Sequence, residues 1–198
     1  MEITNILFCG LGGQGILTSS RVLALAAVHA GLDVKMSEVH GMSQRGGNVD
    51  THVRIGLDVP SSLIPRGGAH FVVAFEKLEA LRYLDYLRSD GVVFVCPLEV
   101  PPVAQSLKKD QGYVPDLDRH LEKKAPRLVW VEAERIAREM GDLRMVNVVL
   151  LGALSAALPI EQQHWEAAVR ERFPKKIQEA CLVAFRKGAE NAPLFATR

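Results

Sequence analysis

Cysteine is scarce in this chain. It occurs three times in 198 residues, at Cys9, Cys96 and Cys181, and no two of these form a C-x-x-C pair. That spacing excludes a local iron–sulfur or zinc signature. Cys9 and Cys96 each end an apolar run and are expected to be small buried hydrophobes. Long apolar runs are also missing: no window reaches the roughly 18 continuous apolar residues that a membrane span requires. No basic stretch leads into an apolar signal core, so a cytoplasmic location is expected. Charge is nearly balanced, at +1, which leaves no broad field for nucleic acid or lipid headgroups. There is no G-x-S-x-G elbow and no Walker lysine after a glycine loop. No base–nucleophile pairing stands out either.

Apolar residues make up 48% of the chain, ample for a real core. The length fits one domain over 1–198, with a helical extension from about 145 to 198. Residues 4–9 form an apolar run ended by glycine, the pattern of a buried parallel strand. Ile16, Leu17, Val22, Leu23, Leu25, Ala26 and Ala27 place a helix after it, and Gly31 ends that helix. Strands are expected at 33–39, 49–57, 70–75, 91–96 and 128–131, with helices at 77–87, 116–124 and 133–140. The 49–57 strand alternates and reads as having one wetter face. Residues 145–158 are apolar almost all round and suit either the core or a subunit contact. Two amphipathic helices follow, near 161–173 and 175–191. Strands alternating with helices imply a three-layer α/β/α, Rossmann-like sheet with C-terminal helices.

Two glycine-rich stretches carry the functional signal. The first is Cys9-Gly10-Leu11-Gly12-Gly13-Gln14-Gly15-Ile16. Gly10, Gly12 and Gly15 keep the G-x-G-x-x-G spacing that opens a dinucleotide-binding βαβ unit. In such a unit Gly10 allows the turn, Gly12 lets backbone approach a pyrophosphate, and Gly15 lets helix pack on strand. A helix N-terminus aimed at that gap favours an anion. A dinucleotide reading also asks for an acid at the end of the second strand, where Glu38 stands. The second stretch gathers His40, Ser43, Gln44 and Arg45 among Gly41, Gly46 and Gly47. Arg45 offers a planar five-donor fork for phosphate or carboxylate. Both stretches follow strands, so they are expected side by side on one rim of the sheet.

Other polar residues read as structural. His52 shares a strand face with Asp50 and Arg54, expected to be an ordinary exposed face or one turned toward a partner. His70 opens a strand. Asn147 lies in the apolar helix, where a hydrogen bond to nearby backbone would account for it.

The two glycine stretches together resemble the gamma subunit or domain of the 2-oxoacid:ferredoxin oxidoreductases. The resemblance runs from the first strand to the helix carrying Asn147-Val148-Val149-Leu150-Leu151-Gly152. Within that family, the form His40-Gly41-Met42-Ser43-Gln44-Arg45-Gly46-Gly47 is similar to that of members acting on indolepyruvate. The resemblance implies oxidative decarboxylation of an aryl pyruvate to its acyl-coenzyme A, with electrons passed to ferredoxin. It further implies thiamine diphosphate with magnesium, iron–sulfur clusters, and coenzyme A as co-substrate. This chain has no cysteine run for a cluster and no acidic-glycine stretch followed by asparagine for thiamine magnesium. The cofactors are therefore expected on a large alpha subunit, with ferredoxin met through the complex, no cofactor or metal held by this chain alone, and self-association left open. The implied binding residues are Gly10, Gly12, Gly13, Gln14, Gly15, Glu38, His40, Ser43, Gln44, Arg45, Gly46 and Gly47, with no catalytic residue on this chain alone. Two alternatives remain at this point. One is a self-sufficient nicotinamide- or flavin-dependent reductase, and the other is a nucleotide-binding module without enzymatic role.

Overall fold

The first strand organises the molecule. In β1 (Thr4–Leu11), Ile6, Leu7, Phe8 and Cys9 are all fully buried, so the sheet is covered on both faces at this strand. The structure is a computed structural model and describes residues 2–40, 47–100 and 113–193. After β1 come α1 (Ile16–His29), β2 (Asp33–His40), β3 (Asn48–Gly56), β4 (Ala69–Ala74) and α2 (Lys77–Tyr83). There follow β5 (Leu87–Val95), α3 (Leu117–Lys124), β6 (Leu128–Trp130), α4 (Ala133–Glu139), α5 (Val146–Ser155), α6 (Gln162–Arg172) and α7 (Gln178–Glu190).

The six strands lie in the order β2-β3-β1-β4-β5-β6. β3 is antiparallel to both β1 and β2, whereas β1, β4, β5 and β6 run parallel. The sheet is therefore mixed. β1 and β2 point the same way, as a βαβ unit requires, but β3 is inserted between them. The C-terminal ends of β1 and β2 still lie on one rim.

Side chains of β1 alternate between two cores. Ile6 and Phe8 join α1, α4, α5, α6 and α7 on one face, with Trp165 and Phe185 among the largest buried side chains there. Leu7 and Cys9 join α2 and α3 on the other face through Ala80, Tyr83, Leu117 and Leu121. Each such fully buried large side chain is worth about 1.5–3 kcal/mol over exposure.

Two expectations change and one alternative is settled. The wetter face of 49–57 is absent: Asp50, Thr51 and His52 of β3 are 7%, 0% and 4% exposed. β3 is an inner strand, and Ile64 in the following loop closes over His52. The helix expected over 77–87 stops at Tyr83, continues as a 3-10 turn over Leu84–Tyr86, and gives way to β5. Residues 145–158 resolve to the core, because Val148, Val149, Leu150, Leu151 and Leu154 are buried beneath α7 and α1.

Candidate functional site at the first glycine turn

The turn after β1 is built around one side chain. The Leu11 amide donates to Gln14 Oε1 at 2.7 Å, and Gln14 Nε2 donates to the Phe75 carbonyl at 3.4 Å. Gly13 and Gly15 adopt φ of +101° and +84°, the left-handed region that side chains avoid. Gly10 is needed for a different reason: a Cβ there would lie 2.5 Å from Gln14 Oε1 and 2.8 Å from Phe75 Cβ. Gly15 packs against α5 and not against the strand, since a Cβ would lie 2.5 Å from Asn147 Nδ2. No side chain caps the N-terminus of α1. Its first N–H groups have no intrahelical acceptors and carry the positive end of the dipole.

A direct bond joins the two glycine stretches. The Gly12 amide donates to the Gly47 carbonyl at 2.9 Å. Gly10 is also in register with Val49 across the β1–β3 pair. The end of the second stretch therefore meets the first on the expected rim. Gly41, Ser43, Gln44, Arg45 and Gly46 lie outside the described residues, and His40 is placed only as backbone at the end of β2. Glu38 is on β2, one strand removed from β1, and its carboxylate is bonded to Arg21 of α1 at 3.1 Å.

Two clefts flank the turn. One, of about 480 Å³, runs between Leu11, Gly12, Thr18 and Val49. The other, of about 450 Å³, has apolar walls from Phe75, Leu98, Leu143 and Val146, and Gly13 and Gly15 meet Asn147 at its edge. Arg144 stands at its mouth, paired with Asp142 at 2.7 Å. The Arg144 guanidinium holds the Asp142 carboxyl down at about 2. Asn147 departs from its expected backbone hydrogen bond. It is 8% exposed, and its Oδ1 is buried with no hydrogen-bond partner. Its backbone carbonyl accepts from Ser19 Oγ at 3.2 Å. The signal in the sequence was a lone carboxamide in a helix apolar all round.

A polar network lies on the α2 side of the same strands. Asn48 Nδ2 donates to Tyr83 Oη at 3.3 Å, and Tyr83 Oη donates to Asp50 Oδ1 at 2.7 Å. The Ile64 amide donates to His52 Nδ1 at 3.0 Å. His52 therefore carries its proton on Nε2 and donates to Asp50 Oδ2 at 3.1 Å. Burial together with the Asp50 bond pushes the Tyr83 hydroxyl far above its usual range. Cys9 is held protonated by its own burial and by the Glu79, Asp50 and Glu76 carboxylates.

Cys9, Cys96 and Cys181 are all buried and unpaired with one another. Among the described residues no group of three His, Cys, Asp or Glu side chains is placed to hold an ion. No described helix is long and apolar enough to cross a membrane.

Residues 5–191 match the pyruvate ferredoxin/flavodoxin oxidoreductase family. This chain belongs to that family. One similar member is the indolepyruvate oxidoreductase subunit IorB of Archaeoglobus fulgidus, 41% identical over 95% of this chain and 94% of the relative. The subunit of the same name in Thermococcus kodakarensis is 38% identical over 97% of both chains. The fold of this family member is also that of a solved 2-oxoglutarate:ferredoxin oxidoreductase chain from Magnetococcus marinus. That likeness has a TM-score of 0.75 at 20% identity and covers 100% of this chain but 32% of the other.

Proposed function

We propose that this chain is the accessory subunit of an oxidoreductase that oxidatively decarboxylates an aryl pyruvate such as indolepyruvate. The products are the acyl-coenzyme A and CO2, and ferredoxin takes the electrons. The observation that carries the reading is the pair of glycine stretches, joined by the Gly12–Gly47 bond on an open helix N-terminus, in a chain similar over its length to indolepyruvate oxidoreductase subunits. Thiamine diphosphate, magnesium and the iron–sulfur clusters belong to a large partner subunit. Among the described residues no donor set is placed to suit them. Bound on that partner, they supply decarboxylation and electron transfer. The complex works in the cytoplasm, and this chain acts in it as a single domain over 1–198.

This chain contributes binding and orientation. The 10–15 turn, with Gly10, Gly12, Gly13, Gln14 and Gly15, cradles a phosphate of coenzyme A through backbone N–H groups. The second stretch supplies the rest of the wall. Arg45 pairs with a phosphate or with the oxoacid carboxylate, and Glu38, His40, Ser43, Gln44, Gly46 and Gly47 are the other binding residues assigned to that wall.

The test is Arg45→Ala in the assembled complex. KM for coenzyme A or for the oxoacid should rise roughly tenfold, the cost of losing one charged hydrogen-bonding partner. The complex should elute intact. Dissociation of the subunits would make Arg45 an interface residue and end its assignment to the site.

A further inference from the structure

A glutamine carries an acceptor and a donor at the end of one side chain, so it can join two backbone groups that do not reach each other. Gln14 is used in this way. Its Oε1 accepts from the Leu11 amide at 2.7 Å, and its Nε2 donates to the Phe75 carbonyl at 3.4 Å. The Gln14 amide donates back to the Leu11 carbonyl at 3.2 Å, so the two residues close the turn from both sides. Phe75 directly follows β4, and its own amide donates to the Cys9 carbonyl at 2.9 Å. The carboxamide therefore ties the turn after β1 to the end of the neighbouring parallel strand.

The glycines of the motif make room for this seat. Position 10 has to be empty because a Cβ there would meet Gln14 Oε1 at 2.5 Å. Gly13 and Gly15, on either side of Gln14, take the left-handed backbone that turns its side chain inward. Gly12, next to the restrained Leu11, gives its amide to the Gly47 carbonyl at 2.9 Å. A continuous path of bonds thus runs from Phe75 through Gln14, Leu11 and Gly12 to Gly47, where the second glycine stretch ends.

We infer that Gln14 is a positioning residue for the second glycine stretch. Acting through Leu11 and Gly12, its carboxamide fixes where Gly47 joins the rim. The inference rests on the reading of the two stretches as one binding wall. It goes further in giving the Gln14 side chain the task of setting that wall, and not of touching the ligand.

The experiment uses the assembled complex, with coenzyme A and indolepyruvate varied in turn. The variants are Gln14→Met, Gln14→Glu, Arg45→Ala and the Gln14→Met/Arg45→Ala double variant. Gln14→Met is close in size and makes neither hydrogen bond. It should raise KM about tenfold for the same substrate that Arg45→Ala affects, with kcat within about twofold of wild type. The double variant should be little worse than Arg45→Ala alone, because both changes act on one wall. Gln14→Glu should match Gln14→Met at about pH 8. Relative to wild type at each pH, its KM should recover as pH falls toward about 5, because a protonated carboxyl again offers one acceptor and one donor.

An unchanged KM in Gln14→Met, with that of Arg45→Ala raised, would overturn the inference and leave the wall standing. Fully additive effects in the double variant would separate Gln14 from the second stretch and also overturn it. A fall in kcat alone, or loss of the complex in both Gln14 variants, would make Gln14 structural, with the same result. A KM moved by neither Gln14→Met nor Arg45→Ala, or a complex that Arg45→Ala takes apart, would remove the reading of the wall and this inference together.

Discussion

Gly152 of α5 and Gly188 of α7 face each other across a helix crossing that admits no side chain. A Cβ on Gly152 would lie 2.0 Å from the Phe185 carbonyl oxygen, and one on Gly188 would lie 2.0 Å from that of Val149. Both obstacles are backbone, so relief requires the helices to part. α5 also carries Asn147 to the glycine turn, which makes this crossing the support of the cleft. Gly152→Ala or Gly188→Ala should each lower stability by about 1–3 kcal/mol, the cost of overpacking a filled core. Urea unfolding reads this as a lower midpoint, and an unchanged midpoint would refute the close crossing.

Tyr83 is the donor that lets Asp50 stay buried. Asp50 accepts from Tyr83 Oη and His52 Nε2 and is 7% exposed. Tyr83→Phe removes one of those donors with almost no change in shape. The variant should lose about 1–3 kcal/mol, because a buried carboxylate oxygen is left unpaired. Chemical denaturation measures this directly. A loss near zero would mean that water replaces the hydroxyl.

The thiols give a pH dependence with a definite sign. Burial raises Cys96 and Cys181 to about 11, against an ordinary value near 9. The folded chain therefore holds these protons more tightly than the unfolded chain does. Their contribution to stability is full below about pH 9 and is lost as pH rises toward 11. The melting temperature should fall across that window beyond what Cys96→Ala/Cys181→Ala protein shows over the same range. Ellman's reagent at pH 8 should react with all three cysteines only after unfolding.

Much of the fold was legible because local pattern and burial agreed. The apolar run of β1 and the helical spacing of Val22, Leu23, Ala26 and Ala27 specify elements that tertiary packing then keeps. β3 was misread because alternation signals a wet face only where nothing covers it. Asp50 and His52 look like surface residues until Tyr83 and the Ile64 amide are brought to them from distant sequence. The insertion of β3 between β1 and β2 is equally invisible locally, since strand order is a long-range property. At the site, the Gly12–Gly47 bond joins the stretches that the sequence places on one rim. The backbone hydrogen bond expected for Asn147 is not made by its Oδ1, which becomes apparent only once α5 is packed against Gly15.

The central claim is that this chain is an accessory subunit whose chemistry is carried by a partner. Reconstitution tests it most directly: indolepyruvate- and coenzyme A-dependent reduction of a viologen dye or ferredoxin, assayed with this chain alone, with the large subunit alone, and with both. The account predicts activity from the mixture and none from this chain by itself. Dye reduction by this chain alone would contradict it.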